Sequence, residues 1–246
     1  ERYTRMRSTV IGSGSWGTAL ASVLASKGEV KLWCRNPEMV EPINSTHRNP
    51  RYQKDIDLSE NITATSDLGD AMADAEFVCT VVPSHAMRSV MATAAPLLPH
   101  GVPIVCASKG IENLSLMTME EVLTEVLPTE FQGQLAFLSG PSFARETLLQ
   151  MATAVTIAAR CSDIAEMAQA AFSTKAFRVY TTEDVTGVEL GGALKNVVAI
   201  ASGVAHGLGL GHNTRAALLT RGLAEIGRLA VHRGANPLTL SGLAGM

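Results

Sequence analysis

An excess of charge of either sign is missing from the 246 residues, which carry 20 Lys and Arg against 23 Asp and Glu for a formal net charge of -3. A chain so near neutrality has no bulk attraction for nucleic acid or anionic lipid, so polyanionic macromolecules are excluded as expected partners. Cysteine is sparse: Cys34, Cys79, Cys106 and Cys161 show no C-x-x-C spacing. Three of them end or interrupt strand-like runs, where a small apolar side chain packs well, so they read as structural thiols. The six histidines form no H-E-x-x-H or other ligand pattern, and no metal site is expected. The opening "ERYTRMRS" lacks the apolar region of a signal peptide. The longest suspicious apolar stretch, "NVVAIASGVAHGLGLG", reads as too short and too glycine-rich to span a bilayer. These absences predict a soluble, cytoplasmic protein with no membrane insertion.

What is present is an ordered globular composition, 46% hydrophobic and 17% charged, in a chain long enough for one large or two smaller domains. Eight strand-like runs, "STVI", "VKLWC", "NITAT", "FVCTVV", "VPIVCA", "LAFLS", "ATAVTIA" and "FRVYT", alternate with segments whose apolar residues recur at helical spacing. That alternation predicts an α/β fold with a Rossmann-like, doubly wound parallel sheet. From about Val185 the β-branched runs stop, and "NTRAALLTRGLAEIGRLAVHRG" reads as an amphipathic helix with Leu219, Leu223, Ile226 and Ala230 on its apolar stripe. The expected division is a dinucleotide-binding domain at residues 1–186, followed at 187–246 by the start of an all-helical substrate-binding domain, incomplete here.

Gly12, Gly14 and Gly17 fit G-x-G-x-x-G directly after the first strand and at the start of a helix, the context of a dinucleotide fingerprint. Gly12 permits the tight turn, Gly14 lets backbone approach a pyrophosphate, and Gly17 lets helix and strand pack closely. The helix N-terminus then offers unpaired N–H groups to the phosphates. A P-loop is excluded, because no Lys-Ser or Lys-Thr follows the glycines. At the end of the second strand, where an acidic residue would bind the adenine ribose, the chain has "LWCRN" with Arg35 and, a little later, Glu38. Arg35 can pair with a 2′-phosphate or stack on adenine, which favours NADP with NAD tolerated.

Two lysines stand out beyond the nucleotide half. Lys109 follows the fifth strand in "ASKGIE", and Lys195 lies among small and apolar neighbours in "GALKNVVAIASG". A lysine in such surroundings has a buried partner or a lowered pKa, and the latter suits proton transfer to a carbonyl oxygen.

Taken together, "GSGSWGTALA", "VPSHAMR", "ASKGIE", "SGPSFARE", "GALKNVVAIASG" and "GLGLGHNTRAALLTRGLAE" resemble, in register over essentially the whole chain, the bacterial-type NAD(P)-dependent sn-glycerol-3-phosphate dehydrogenases. The resemblance implies hydride transfer between NAD(P)H and dihydroxyacetone phosphate, feeding glycerophospholipid synthesis. It implies cofactor contacts at Ser15, Trp16, Arg35, Lys109 and Ala144, besides the glycine turn. It further implies substrate contacts at Lys109, Gly140, Ser142 and Lys195, with Lys195 as proton acceptor for the glycerol 2-hydroxyl and Lys109 as a second catalytic charge. Two departures accompany it: Met151 and Ala152 stand where the family commonly has proline and threonine, and the chain stops before the family's next aspartate-bearing segment and its serine-arginine-asparagine motif. The chain therefore reads as a truncated enzyme, or as the ordered portion of a longer one. A dinucleotide-binding module without turnover and a β-hydroxyacid dehydrogenase are the alternatives, and a homodimer is an expected assembly.

Overall fold

The structure is a computed structural model that describes residues 6–244. Eight strands form one sheet: β1 (Ser8–Ile11), β2 (Val30–Trp33), β3 (Ile62–Thr65), β4 (Phe77–Thr80), β5 (Ile104–Cys106), β6 (Leu135–Ser139), β7 (Thr153–Ala159) and β8 (Phe177–Thr182). All eight strand-like runs of the sequence are among them. The spatial order is β3-β2-β1-β4-β5-β6-β7-β8, so the chain reverses its winding between β1 and β4. In an open α/β sheet that reversal leaves a crevice at the carboxyl ends of the strands.

The sheet is not wholly parallel. β7 pairs antiparallel with β6, with Ser139 opposite Thr156, and β8 runs parallel to β7. Parallel neighbours need a crossover from one end of the sheet to the other, whereas an antiparallel neighbour is reached by turning back at the same end. After β6 the chain turns back through "GPSFARETLLQMA", which holds only the short helix α6 described below, and strand patterning carries no sign of direction.

The helices are α1 (Ser15–Ala25), α2 (Val40–Thr46), α3 (Leu68–Met72), α4 (Ser84–Ala94), α5 (Met119–Val126), α6 (Ala144–Leu148), α7 (Ser162–Phe172), α8 (Val185–Gly207) and α9 (His212–His232). They cover both faces of the sheet. Leu20 and Leu24 of α1 and Phe172 of α7 pack with Val10, Leu32 and Ile157 on one face. Met87 and Met91 of α4 and Leu123 of α5 pack with Ile11, Val78 and Ile104 on the other. Neighbouring Val10 and Ile11 thus point to opposite cores, which is why all four residues of β1 are buried, with no alternation of buried and exposed positions.

Thr118 caps α5 through a capping box with Glu121. Asp184 caps α8 by accepting from the Gly187 N–H at 2.9 Å and also accepts from the Asn236 N–H at 2.9 Å, tying the segment after α9 back to the start of α8. Two expectations need correction here. Residues 196–211 do not form a short segment of their own: most of them belong to α8, whose 23 residues are long and apolar enough to cross a membrane by length and composition. Its first two turns are instead buried on the sheet through Val185 and Val188. The apolar stripe of α9 is only half used, since Ile226 and Ala230 are buried while Leu219 and Leu223 remain exposed.

Candidate active site

The cleft begins where β1 ends. Gly12 turns the chain at φ 120°, and a Cβ there would lie 2.7 Å from the Val81 carbonyl oxygen. An L side chain is excluded on both counts. A Cβ on Gly17 would overlap the Gly12 carbonyl oxygen, so α1 can start this close to β1 only because residue 17 has none. Gly14 differs: a Cβ there meets no protein atom within 4 Å. It is the N-cap of α1, and no side chain caps the helix. Exposed N–H groups at an uncapped helix start, facing open space, suit a phosphate group.

These residues floor a cleft of about 560 Å³ that runs from Arg35 and Asn36 at the end of β2, past Val81 and Pro83, to Lys109 and Ser142. Of the expected cofactor residues it brings together Gly12, Gly14, Ser15, Trp16, Gly17, Arg35 and Lys109. Arg35 is exposed and, among the described residues, in no ion pair. Trp16 is half-buried, with its ring centroid 6.5 Å from that of Phe177. Ala144 is placed elsewhere: it opens α6 and is not among the residues lining the cleft.

At the far end two lysines converge on one oxygen. Lys109 Nζ donates to the Gly140 carbonyl at 3.2 Å, and Lys195 Nζ donates to the same carbonyl at 2.9 Å. The Ser142 hydroxyl donates to it at 3.4 Å. α8 approaches the end of β6 closely enough for this because Gly192 has no side chain; a Cβ there would stand 2.6 Å from Ser139 Oγ. Burial pushes the Lys195 ammonium down to about 8, and the neighbouring positive charge of Lys109 adds to the shift. Burial lowers Lys109 as well, partly offset by its hydrogen bond with Lys195.

Lys109, Gly140, Ser142 and Lys195 lie 86 positions apart at the extremes, yet they form one hydrogen-bonded cluster, of which Lys109 and Ser142 line the cleft's end while Gly140 and Lys195 stand behind them, outside its lining. Three residues around the site were not singled out from the sequence: Asn49 and Gln53, which hydrogen-bond from behind to the glycine turn and to Ser15, and Glu189. Glu189 is half-buried on α8, accepts from the Glu120 N–H at 3.0 Å, and is pushed up to about 8 by desolvation. Nothing in a lone polar residue's identity says that it will be buried, so no sequence signal marked them.

The chain is similar to known proteins over nearly its whole length. A family model described as NAD-dependent glycerol-3-phosphate dehydrogenase N-terminus matches residues 7–165, and the corresponding C-terminus model matches residues 184–246. The chain is 58% identical over 242 residues to glycerol-3-phosphate dehydrogenase [NAD(P)+] of Myxococcus xanthus, covering 98% of this chain and 72% of that protein. It is 54% identical to the enzyme of the same name from Anaeromyxobacter dehalogenans, of which it covers 73%. A crystal structure of glycerol-3-phosphate dehydrogenase from Coxiella burnetii superposes with a TM-score of 0.91 at 38% identity, covering 98% of this chain and 73% of that one.

Proposed function

The chain belongs to the NAD-dependent glycerol-3-phosphate dehydrogenase family, and from that premise we propose that it reduces dihydroxyacetone phosphate to sn-glycerol 3-phosphate with a nicotinamide dinucleotide, supplying glycerophospholipid synthesis. The observation that carries this reading is the convergence of Lys109 and Lys195 on the Gly140 carbonyl at one end of the cleft that the glycine turn floors. The nicotinamide ring, when bound, supplies the hydride to C2 of the ketone.

The chain's own part is to hold the partners and move the proton. Negative charge develops on the C2 oxygen as hydride arrives and must be met by a donor. An ammonium has three N–H bonds, so Lys195 can keep one on Gly140 and present another to the substrate oxygen. Its lowered pKa makes the transfer easier, and in the reverse direction the neutral amine accepts the proton of the glycerol 2-hydroxyl. Lys109, half-buried beside it, contributes a second positive charge and depresses Lys195. Gly140 and Ser142 are assigned to the substrate side. Oxidation of NADPH on addition of dihydroxyacetone phosphate, followed at 340 nm, tests the activity; the absence of turnover alongside normal dinucleotide binding would favour a module without catalysis.

For the cofactor we propose NADP over NAD, because Arg35 stands exposed, free of ion pairs among the described residues, at the mouth of the adenine end. Arg35→Asp is expected to weaken NADPH binding by about tenfold or more and NADH binding less, as befits one charge-assisted contact. Equal losses for the two cofactors in a fluorescence titration would remove Arg35 from 2′-phosphate recognition. Residues 1–186 are proposed as the dinucleotide-binding unit and 187–246 as the start of the substrate-binding unit. Free thiols at Cys34, Cys79, Cys106 and Cys161 suit a reducing cytoplasm. A homodimer is the proposed assembly, since self-association would cover Val197, Ile200 and Val204, which α8 exposes.

A further inference from the structure

Asn49 lies in the irregular segment between α2 and β3, far in sequence from any of the motifs above, yet it is 0% exposed. All of its side-chain hydrogen-bonding capacity is directed at two places. Its Nδ2 donates to the Ser13 carbonyl at 3.0 Å and to Thr18 Oγ1 at 2.8 Å. Its Oδ1 accepts from the Arg51 and Tyr52 N–H groups, each at 3.1 Å. Those two backbone donors settle which end of the amide is oxygen. Thr18, also 0% exposed, completes the ring by donating to the Ser13 carbonyl at 3.4 Å. Four residues further on, Gln53 Nε2 donates to Ser15 Oγ at 2.6 Å.

The consequence follows from peptide geometry. No peptide bond among the described residues is cis. In a trans peptide the C=O and the N–H point in opposite directions. With the Ser13 carbonyl held inward by Asn49 and Thr18, the Gly14 N–H is turned outward, toward the cleft that Ser13 and Gly14 both line. Among the described residues no acceptor pairs with that N–H. The inward anchor is made by a side chain that neither lines the cleft nor carries charge.

We propose that Asn49 is a positioning residue for the pyrophosphate of the dinucleotide, fixing the Ser13–Gly14 peptide so that its N–H is set toward the phosphate before the ligand arrives. This rests on the reading of the cleft as a dinucleotide site. A rotatable peptide would have to be ordered on binding, and a preset one avoids that cost.

The test is Asn49→Asp in the intact chain. Aspartate keeps the acceptor for Arg51 and Tyr52 but turns an oxygen toward the Ser13 carbonyl, where the amide donated. Calorimetric titration with ADP-ribose, which contains the pyrophosphate, and NMR titration with adenosine, which lacks it, separate positioning from general damage. ADP-ribose is expected to bind about tenfold more weakly, the effect of one buried pair turned repulsive, while adenosine changes by less than about twofold. Unchanged affinity for ADP-ribose, or an equal loss for adenosine, would overturn the proposal. Should N49D fail to fold by circular dichroism, Thr18→Val carries the same test through loss of the shared hydroxyl. An ADP-ribose affinity about threefold lower supports the proposal and an unaltered one overturns it. A wild-type chain that binds no ADP-ribose would instead overturn the dinucleotide reading itself, and the proposal with it.

Discussion

Replacing Lys195 with methionine is expected to lower kcat for reduction of dihydroxyacetone phosphate by about two to four orders of magnitude, while dinucleotide affinity changes little. Methionine keeps most of the side chain's length and apolar volume, so the close approach of α8 to β6 survives. What it removes is the ammonium 2.9 Å from the Gly140 carbonyl, the group placed to protonate the ketone oxygen. The pH profile provides a second check. Burial, with the charge of Lys109 beside it, brings the Lys195 pKa down to about 8. Reduction needs the protonated amine, so its rate should be level below pH 8 and fall as pH rises through that value. Oxidation of glycerol 3-phosphate needs the neutral amine, so its rate should rise toward pH 8 and then level off. Both trends should vanish in K195M. A variant with near-normal kcat and the wild-type profile would transfer the acid to Lys109 or to water.

Gly17→Ala should damage the floor of the cleft. The new Cβ would overlap the Gly12 carbonyl oxygen, a backbone atom that cannot swing aside as a side chain can. α1 must then move away from β1 and carry the uncapped helix start with it. Overpacking of this kind typically costs about 1–3 kcal/mol. With the helix N–H groups drawn back from the phosphates, dinucleotide affinity should fall by about tenfold or more, the equivalent of about 1.4 kcal/mol of lost contact. Urea unfolding reads the first effect and fluorescence titration with NADPH the second. Wild-type values for both would show that α1 can start elsewhere without consequence. Gly14→Ala is the natural control: its Cβ meets no protein atom, so stability should be kept while the space a phosphate needs is reduced.

Local chemistry was enough to foretell the eight strands, the glycine turn and the helical character of the C-terminal part. β-branched runs, φ-permissive residues and amphipathic spacing act over a few neighbours, and each leaves its mark where it acts. α2 and α6, of seven and five residues, fell below the length at which helical spacing shows. The antiparallel β6–β7 pair escaped for a different reason: the residues of a buried strand are chosen by the two faces they cover, and those faces look alike whichever way the strand runs. The lysines at 109 and 195 were conspicuous as residues, and a family resemblance attached roles to them. Only the approach of α8 to the end of β6, allowed by Gly192, brought both onto the carbonyl of Gly140. The depressed pKa of Lys195 is likewise a product of that meeting, since desolvation and a neighbouring charge depend on distances across the fold. Asn49 is the extreme case: an ordinary polar residue in an irregular segment, it becomes the inward anchor of the glycine turn because folding buries it against Ser13 and Thr18. Sequence determines what each segment prefers to be, whereas burial and proximity, which set pKa values and aim peptide groups, exist only once distant segments have packed.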